Sequence, residues 1–176
     1  MPERQRGMPQ HIHSSASRNL SHGWSFFEVR ASGFTHATPQ QAWRVLTDYE
    51  RLEEFVPDLV SSKVLSRSQH EAIIEQQNRA GFLFLSHTIR MVVRIAEQPF
   101  SALDVEQISG DMQHYSARWL LEPFELQGTT GTRIGFDGAI EPAFPLPPLV
   151  GDALVELNAR KMVEAVITEI DRRSMH

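Results

Sequence analysis

Ala37-Thr38-Pro39-Gln40-Gln41-Ala42-Trp43-Arg44-Val45-Leu46-Thr47-Asp48-Tyr49-Glu50-Arg51-Leu52-Glu53-Glu54-Phe55-Val56-Pro57 is the stretch whose reading decides the fold. Thr38 is placed as an N-cap, Pro39 suits the first helical position, and Gln41 lies where a capping box needs it. Ala42, Val45 and Leu46 then share one helical face. A more acidic segment follows, whose Leu52 and Phe55 can turn inward before Pro57 stops it. The pattern predicts two short helices in tandem.

Outward from these helices, alternation dominates. Leu83, Leu85, His87, Ile89, Met91, Val93 and Ile95 fall on one side of a long strand, opposite Phe82, Phe84, Ser86, Thr88, Arg90, Val92 and Arg94. Ile134, Phe136, Gly138 and Ile140 alternate in the same way with Arg133, Gly135, Asp137 and Ala139. Ala102–Ser109 and Gln113–Leu121 read as strands joined by a tight reversal at Ser109-Gly110-Asp111. Trp24–His36, Val60–Ser68 and Ala72–Asn78 bring the expected number to seven, in antiparallel neighbours. Gly128-Thr129-Thr130-Gly131 looks like a phosphate loop but joins two strands, so it reads as a hairpin turn. The last segment, Pro148–Arg173, places Val155, Met162, Val166 and Ile170 at helical spacing beside Leu154, Leu157, Val163 and Ile167. Pro145, Pro147 and Pro148 mark its start, and Arg172 and Arg173 suit the negative end of its dipole.

The run Ala42-Trp43-Arg44-Val45-Leu46-Thr47-Asp48-Tyr49, then Leu52, Phe55, Pro57 and the strand Val60-Ser61-Ser62-Lys63-Val64-Leu65, resembles the START-like (SRPBCC) superfamily. It is most similar to the branch of polyketide cyclases/dehydrases and coenzyme-Q-binding, ribosome-association proteins. The similarity runs from about Trp24 to Arg173. It implies an α+β helix-grip fold, in which a seven-stranded curved antiparallel sheet grips the long C-terminal helix around a cavity, with the two short helices after the first strand. Members range from aromatase/cyclases to passive lipid or quinone carriers and protein-binding modules.

Composition agrees with one domain, since 176 residues at 41% hydrophobic suffice for one sizeable core. Residues 23–176 are the expected domain. Met1 to about His22 is poor in large aliphatics and reads as a mobile tail. His11 and His13 in that tail fall short of a metal site. No cysteine occurs, which excludes disulfides and a thiol nucleophile. The formal net charge of −5 argues against nucleic acid and anionic lipid surfaces as partners. Neither a secretory signal nor stable membrane insertion is expected, and the expected setting is the cytoplasm.

The sequence carries no glycine-rich phosphate loop, nucleophile elbow or helical His-Glu-x-x-His pattern, so no cofactor, metal or catalytic residue is assigned. The expected ligand-cavity residues are Leu83, Leu85, His87, Ile89, Met91, Tyr115, Trp119, Phe136, Val155, Met162 and Val166. His87 is either a polar contact for a ligand or a core histidine satisfied by neighbours. Tyr115 and Trp119 can offer rings with a polar handle, or can simply pack. Arg90 and Arg118 matter because the resemblance implies cavity arginines that orient a poly-ketone in aromatase/cyclases; their parity, however, puts them on the solvated face. Asp48, Glu50, Glu53 and Glu54 cluster near the rim that the resemblance implies. The expected function is non-catalytic binding or transport of a hydrophobic small molecule: a lipid, polyprenyl quinone or polyketide-like compound. The alternatives are a polyketide cyclase, aromatase or dehydratase, and a ribosome- or protein-binding module.

Overall fold

The computed structural model describes residues 12–21, 24–82, 85–143 and 151–175. Eight strands form one antiparallel sheet: β1 (His13–Ser21), β2 (Trp24–Thr35), β3 (Leu59–Arg67), β4 (Glu71–Phe82), β5 (Leu85–Gln98), β6 (Ala102–Gly110), β7 (Met112–Leu126) and β8 (Thr129–Pro142). Their spatial order is β1-β2-β8-β7-β6-β5-β4-β3. Helix α1 (Pro39–Leu46) and a 3-10 helix (Tyr49–Glu54) connect β2 to β3, and helix α2 (Gly151–Ser174) closes the chain. This is the expected α+β helix-grip arrangement. Pro145, Pro147 and Pro148, predicted to start the last helix, lie outside the described residues.

The predicted start of α1 is present atom for atom. The Gln41 amide donates to the Thr38 hydroxyl at 3.2 Å, and the Thr38 amide donates to Gln41 Oε1 at 2.9 Å, with Pro39 in the first turn. The β7–β8 connection is a hairpin, as expected, but its turn is Gln127-Gly128, and Thr129, Thr130 and Gly131 already pair with β7. Gln127 and Gly128 both take positive φ between the paired residues Leu126 and Thr129, which matches the twist of the strands.

Two expectations need correction. The sheet has eight strands instead of seven, because His13–Ser21, read as part of a mobile tail, pairs antiparallel with Trp24–Ser32 of β2. Main-chain hydrogen bonds to the open edge of β2 do not require apolar side chains. Ala16 packs against the core, and Arg18 covers the Phe27 ring at 5.6 Å. The predicted inward face of α2 is also narrower: Val155, Ala159, Val163, Val166, Ile167 and Ile170 are buried, but Leu157 is exposed.

The pairing register sorts the sheet into two faces. Val29, Gly138, Ala117, Val105, Ile95 and Ala72 form one row across the inner face. The next row runs Ala31, Phe136, Trp119, Leu103 and Glu97. Helix α2 packs on this face along its β1–β2–β8 side and against α1. Gly138 is a point of close approach, since a Cβ there would stand 3.0 Å from the Phe136 ring and 3.1 Å from Val29.

Candidate functional site

Most of the residues predicted to line a cavity are brought together on this inner face. Ile89 and Met91 on β5, Trp119 on β7, Phe136 on β8, and Val155 and Val166 on α2 are buried in one continuous core cluster, with Tyr115 and Met162 partly buried against it. Trp119 and Phe136 are cross-strand partners whose rings meet edge to face at 5.0 Å. The alternation that nominated them is therefore the physical cause of their meeting. Leu83 and the side chain of Leu85 lie outside the described residues.

His87 differs from the expectation of an apolar setting. It shares the parity of Ile89 and Met91 but is exposed. The register explains this: β6 ends beside Met91 at Gly110, so the β4–β5 hairpin runs on past its neighbour and its far end has no strand beside it. Parity gives the side of a strand; it does not say how far along the strand the face stays covered.

Arg90 and Arg118 stand on the outer face, as their parity predicts, and both are ion-paired. The Arg90 guanidinium donates to Glu75 at 2.6 Å, and that of Arg118 donates to Asp104 at 3.2 Å. With Arg30–Asp137 and Arg94–Glu71 they form a set of cross-strand ion pairs. Two open clefts of about 490 Å³ and about 410 Å³ also lie on this outer side. Their lining includes Arg30, Arg94, Asp104, Arg118 and Asp137, already paired in that set; of the predicted cavity residues, only Phe136 borders either.

Three of the four carboxylates near the predicted rim, Asp48, Glu50 and Glu54, are committed to structure. Arg173 donates to Asp48 at 2.9 Å, Arg51 donates to Glu54 at 3.0 Å, and Glu50 accepts the Val64 amide at 3.4 Å. Glu169, which sequence reasoning passed over, joins this network, accepting from Arg172 and, at 2.9 Å, from Arg173. Hydrogen bonds from Arg172 and then Arg173 outweigh burial and hold its carboxyl down to about 2. A second missed group is Tyr49, whose hydroxyl is buried without a hydrogen bond beneath the Arg67 guanidinium. Arg67 is itself bound to the buried Glu97 at 2.8 Å. Burial, and then the Glu97 charge, push the Tyr49 phenol far above its ordinary value, so it stays neutral. Its apolar ring hid this role in the sequence.

The inner face carries several polar side chains: Glu97, Gln76, which donates to Ser62 at 3.4 Å, and Asn78 share its rows with Leu103, Met91 and Ile89. Gln107 is tied at both amide atoms to Met112, its Nε2 donating to the carbonyl at 2.9 Å and its Oε1 accepting from the amide at 3.3 Å. Thr132 donates to the Ala37 carbonyl at 2.8 Å, and Thr35 to Asp171 on α2 at 2.5 Å. Tyr115 remains, half-buried, its phenol pushed up to about 12 by burial. No group of three or more metal-ligating side chains occurs among the described residues. No helix among them is long and apolar enough to cross a membrane.

Residues 35–167 match the model of a family described as polyketide cyclase/dehydrase and lipid transport. Among solved structures, a STAR-related lipid transfer protein fragment from Xanthomonas axonopodis superposes with a TM-score of 0.68 at 15% identity, covering 89% of this chain and 98% of that one. An aromatase/cyclase from Streptomyces sp. R1128 gives 0.65 at 15% identity, with coverages of 93% and 96%. A START superfamily protein from Mycobacterium smegmatis gives 0.69 at 12% identity, with coverages of 83% and 98%. At such identities the likeness establishes the fold alone. No curated protein matches the sequence.

Proposed function

The chain belongs to the polyketide cyclase/dehydrase and lipid transport family, and from that premise we propose that it binds or carries a hydrophobic small molecule between its inner sheet face and α2, without turning it over. The observation that carries this reading is the distribution of chemistry across the sheet. Aliphatic and aromatic side chains, Ile89, Met91, Trp119, Phe136, Val155 and Val166, gather inside. The arginines that could orient a poly-ketone, Arg90 and Arg118, are outside and neutralised by carboxylates. Such a wall favours ligands that gain by leaving water, and it offers little to a reaction that needs convergent acids and bases.

A lipid, a polyprenyl quinone or a polyketide-like compound fits this chemistry. Native mass spectrometry of the protein purified from its own host, followed by organic extraction, tests it. A retained apolar molecule is the expected result. Enzyme-dependent ring closure of a poly-ketone would overturn the non-catalytic part in favour of a cyclase. The observation favouring that second reading is Tyr115, a phenol donor packed against the apolar cluster of that face.

A further inference from the structure

Tyr115 shares a row of the inner face with Ile140 on β8, Phe27 on β2 and Arg18 on β1. Ile140 and Phe27 offer no hydrogen bond. Gln107, a polar side chain on the neighbouring strand β6, is engaged with Met112. Arg18 lies two strands beyond Ile140, its guanidinium stacked over the Phe27 ring. Among the described residues nothing hydrogen-bonds the Tyr115 hydroxyl. The hydroxyl is open enough for water to bond it, and a ligand that displaces that water must supply an acceptor in its place. The residue is half-buried, so it can be reached. Its phenol, pushed up to about 12 by burial, is a neutral donor at any physiological pH.

We propose that the Tyr115 hydroxyl is the polar anchor of the interior site and donates a hydrogen bond to a carbonyl oxygen of the ligand. The class bound is then an uncharged hydrophobic carbonyl compound: a ketone, quinone or ester. This rests on the interior-binding reading above. A plain hydrocarbon leaves the hydroxyl unsatisfied. A carboxylate must shed its water against Ile140 and Phe27 with only one neutral donor to replace it. A carbonyl needs one donor and carries no net charge.

The test uses displacement of a hydrophobic fluorophore by 2-undecanone, undecane and undecanoate, from the wild type and from Tyr115→Phe. The fluorophore should bind both proteins. 2-Undecanone should displace it better than either of the other probes from the wild type. Tyr115→Phe should weaken the ketone by about 3–10-fold, the usual share of one hydrogen bond, and leave undecane unchanged. Because the chain has two tyrosines, ¹³Cζ-tyrosine labelling gives two resonances, which the variant assigns. Adding 2-undecanone should move that of Tyr115 and leave Tyr49 in place. Either Tyr115→Phe or Tyr49→Phe supplies the assignment, so the wild-type spectrum decides even where one of the two fails to fold. Fluorophore binding with a stationary Tyr115 resonance, or with undecanoate preferred, overturns the carbonyl anchor and leaves interior binding standing. Absence of fluorophore binding overturns both.

Discussion

Replacing Glu169 by Gln removes the charge from a nearly isosteric side chain at the C-terminal end of α2, and the cost should depend on pH in a defined direction. In the folded protein the carboxyl is held from its ordinary 4.5 down to about 2, first by the hydrogen bond from Arg172 and then by that from Arg173. At about 1.4 kcal/mol per tenfold change in proton affinity, that difference sets a ceiling of about 3 kcal/mol. The Glu169 side chain is only 11% exposed, but that of Arg172 is 58% exposed, and solvent screening of that partner lowers the expectation to about 1–2 kcal/mol. The folded value lies below the unfolded one, so this stability is fully present above about pH 5 and is lost as pH falls toward 2. Urea unfolding of the wild type and of Glu169→Gln at pH 7 and pH 3 measures it. The midpoints should differ by about 0.5–1 M at pH 7, and the gap should shrink by about half at pH 3. An equal gap at both pH values would refute the argument, because a contribution carried by the ionised carboxylate must shrink as the wild type takes up its proton.

Gly131→Ala should destabilise the fold by more than about 2 kcal/mol, since a Cβ there would stand 2.2 Å from the Thr35 carbonyl and 2.6 Å from the Phe34 ring; a variant with unchanged thermal midpoint would contradict that packing. Thr38→Ala should cost about 1 kcal/mol in the same assay by deleting the capping box, whereas Thr38→Ser should cost much less. Met162→Trp should weaken binding of a hydrophobic fluorophore in a protein that stays folded, and unchanged affinity would place the ligand elsewhere. His87→Phe should leave the fold intact; loss of an enzyme-dependent poly-ketone cyclisation by about 10²–10⁴-fold in this variant would instead mark the histidine as a proton shuttle.

Much of this fold is written locally. The α1 cap needs three consecutive choices, Thr38, Pro39 and Gln41, and a strand with one apolar face declares itself by alternation. What alternation cannot state is what lies across from a strand. Met91 and His87 are four residues apart with the same parity, yet only the first lies where β6 still runs beside β5, so one is buried and the other exposed. His13–Ser21 escaped notice for a related reason: a strand held by main-chain hydrogen bonds at a sheet edge needs almost no apolar pattern. Glu169 could have been found from spacing, since Arg172 and Arg173 follow it by three and four residues on α2, whereas Tyr49 was hidden because its role depends on Arg67, which arrives from β3. Tyr115, Trp119 and Phe136 were legible because their alignment follows from parity on adjacent antiparallel strands.

The added strand β1 also decides what the molecule shows to its own kind in a crowded cell. Without it, β2 would be the outermost strand and would offer a long row of unpaired amides and carbonyls flanked by Phe27, Val29 and Ala31, a surface on which another chain could template itself. With it, the last strand on that side is His-Ser-Ser-Ala-Ser-Arg-Asn-Leu-Ser, a string of hydroxyls, an amide and a cation with little of the β-branched, apolar character that drives strands to stack into fibrils. The segment that looked least like structure is thus the one that keeps the sheet from growing.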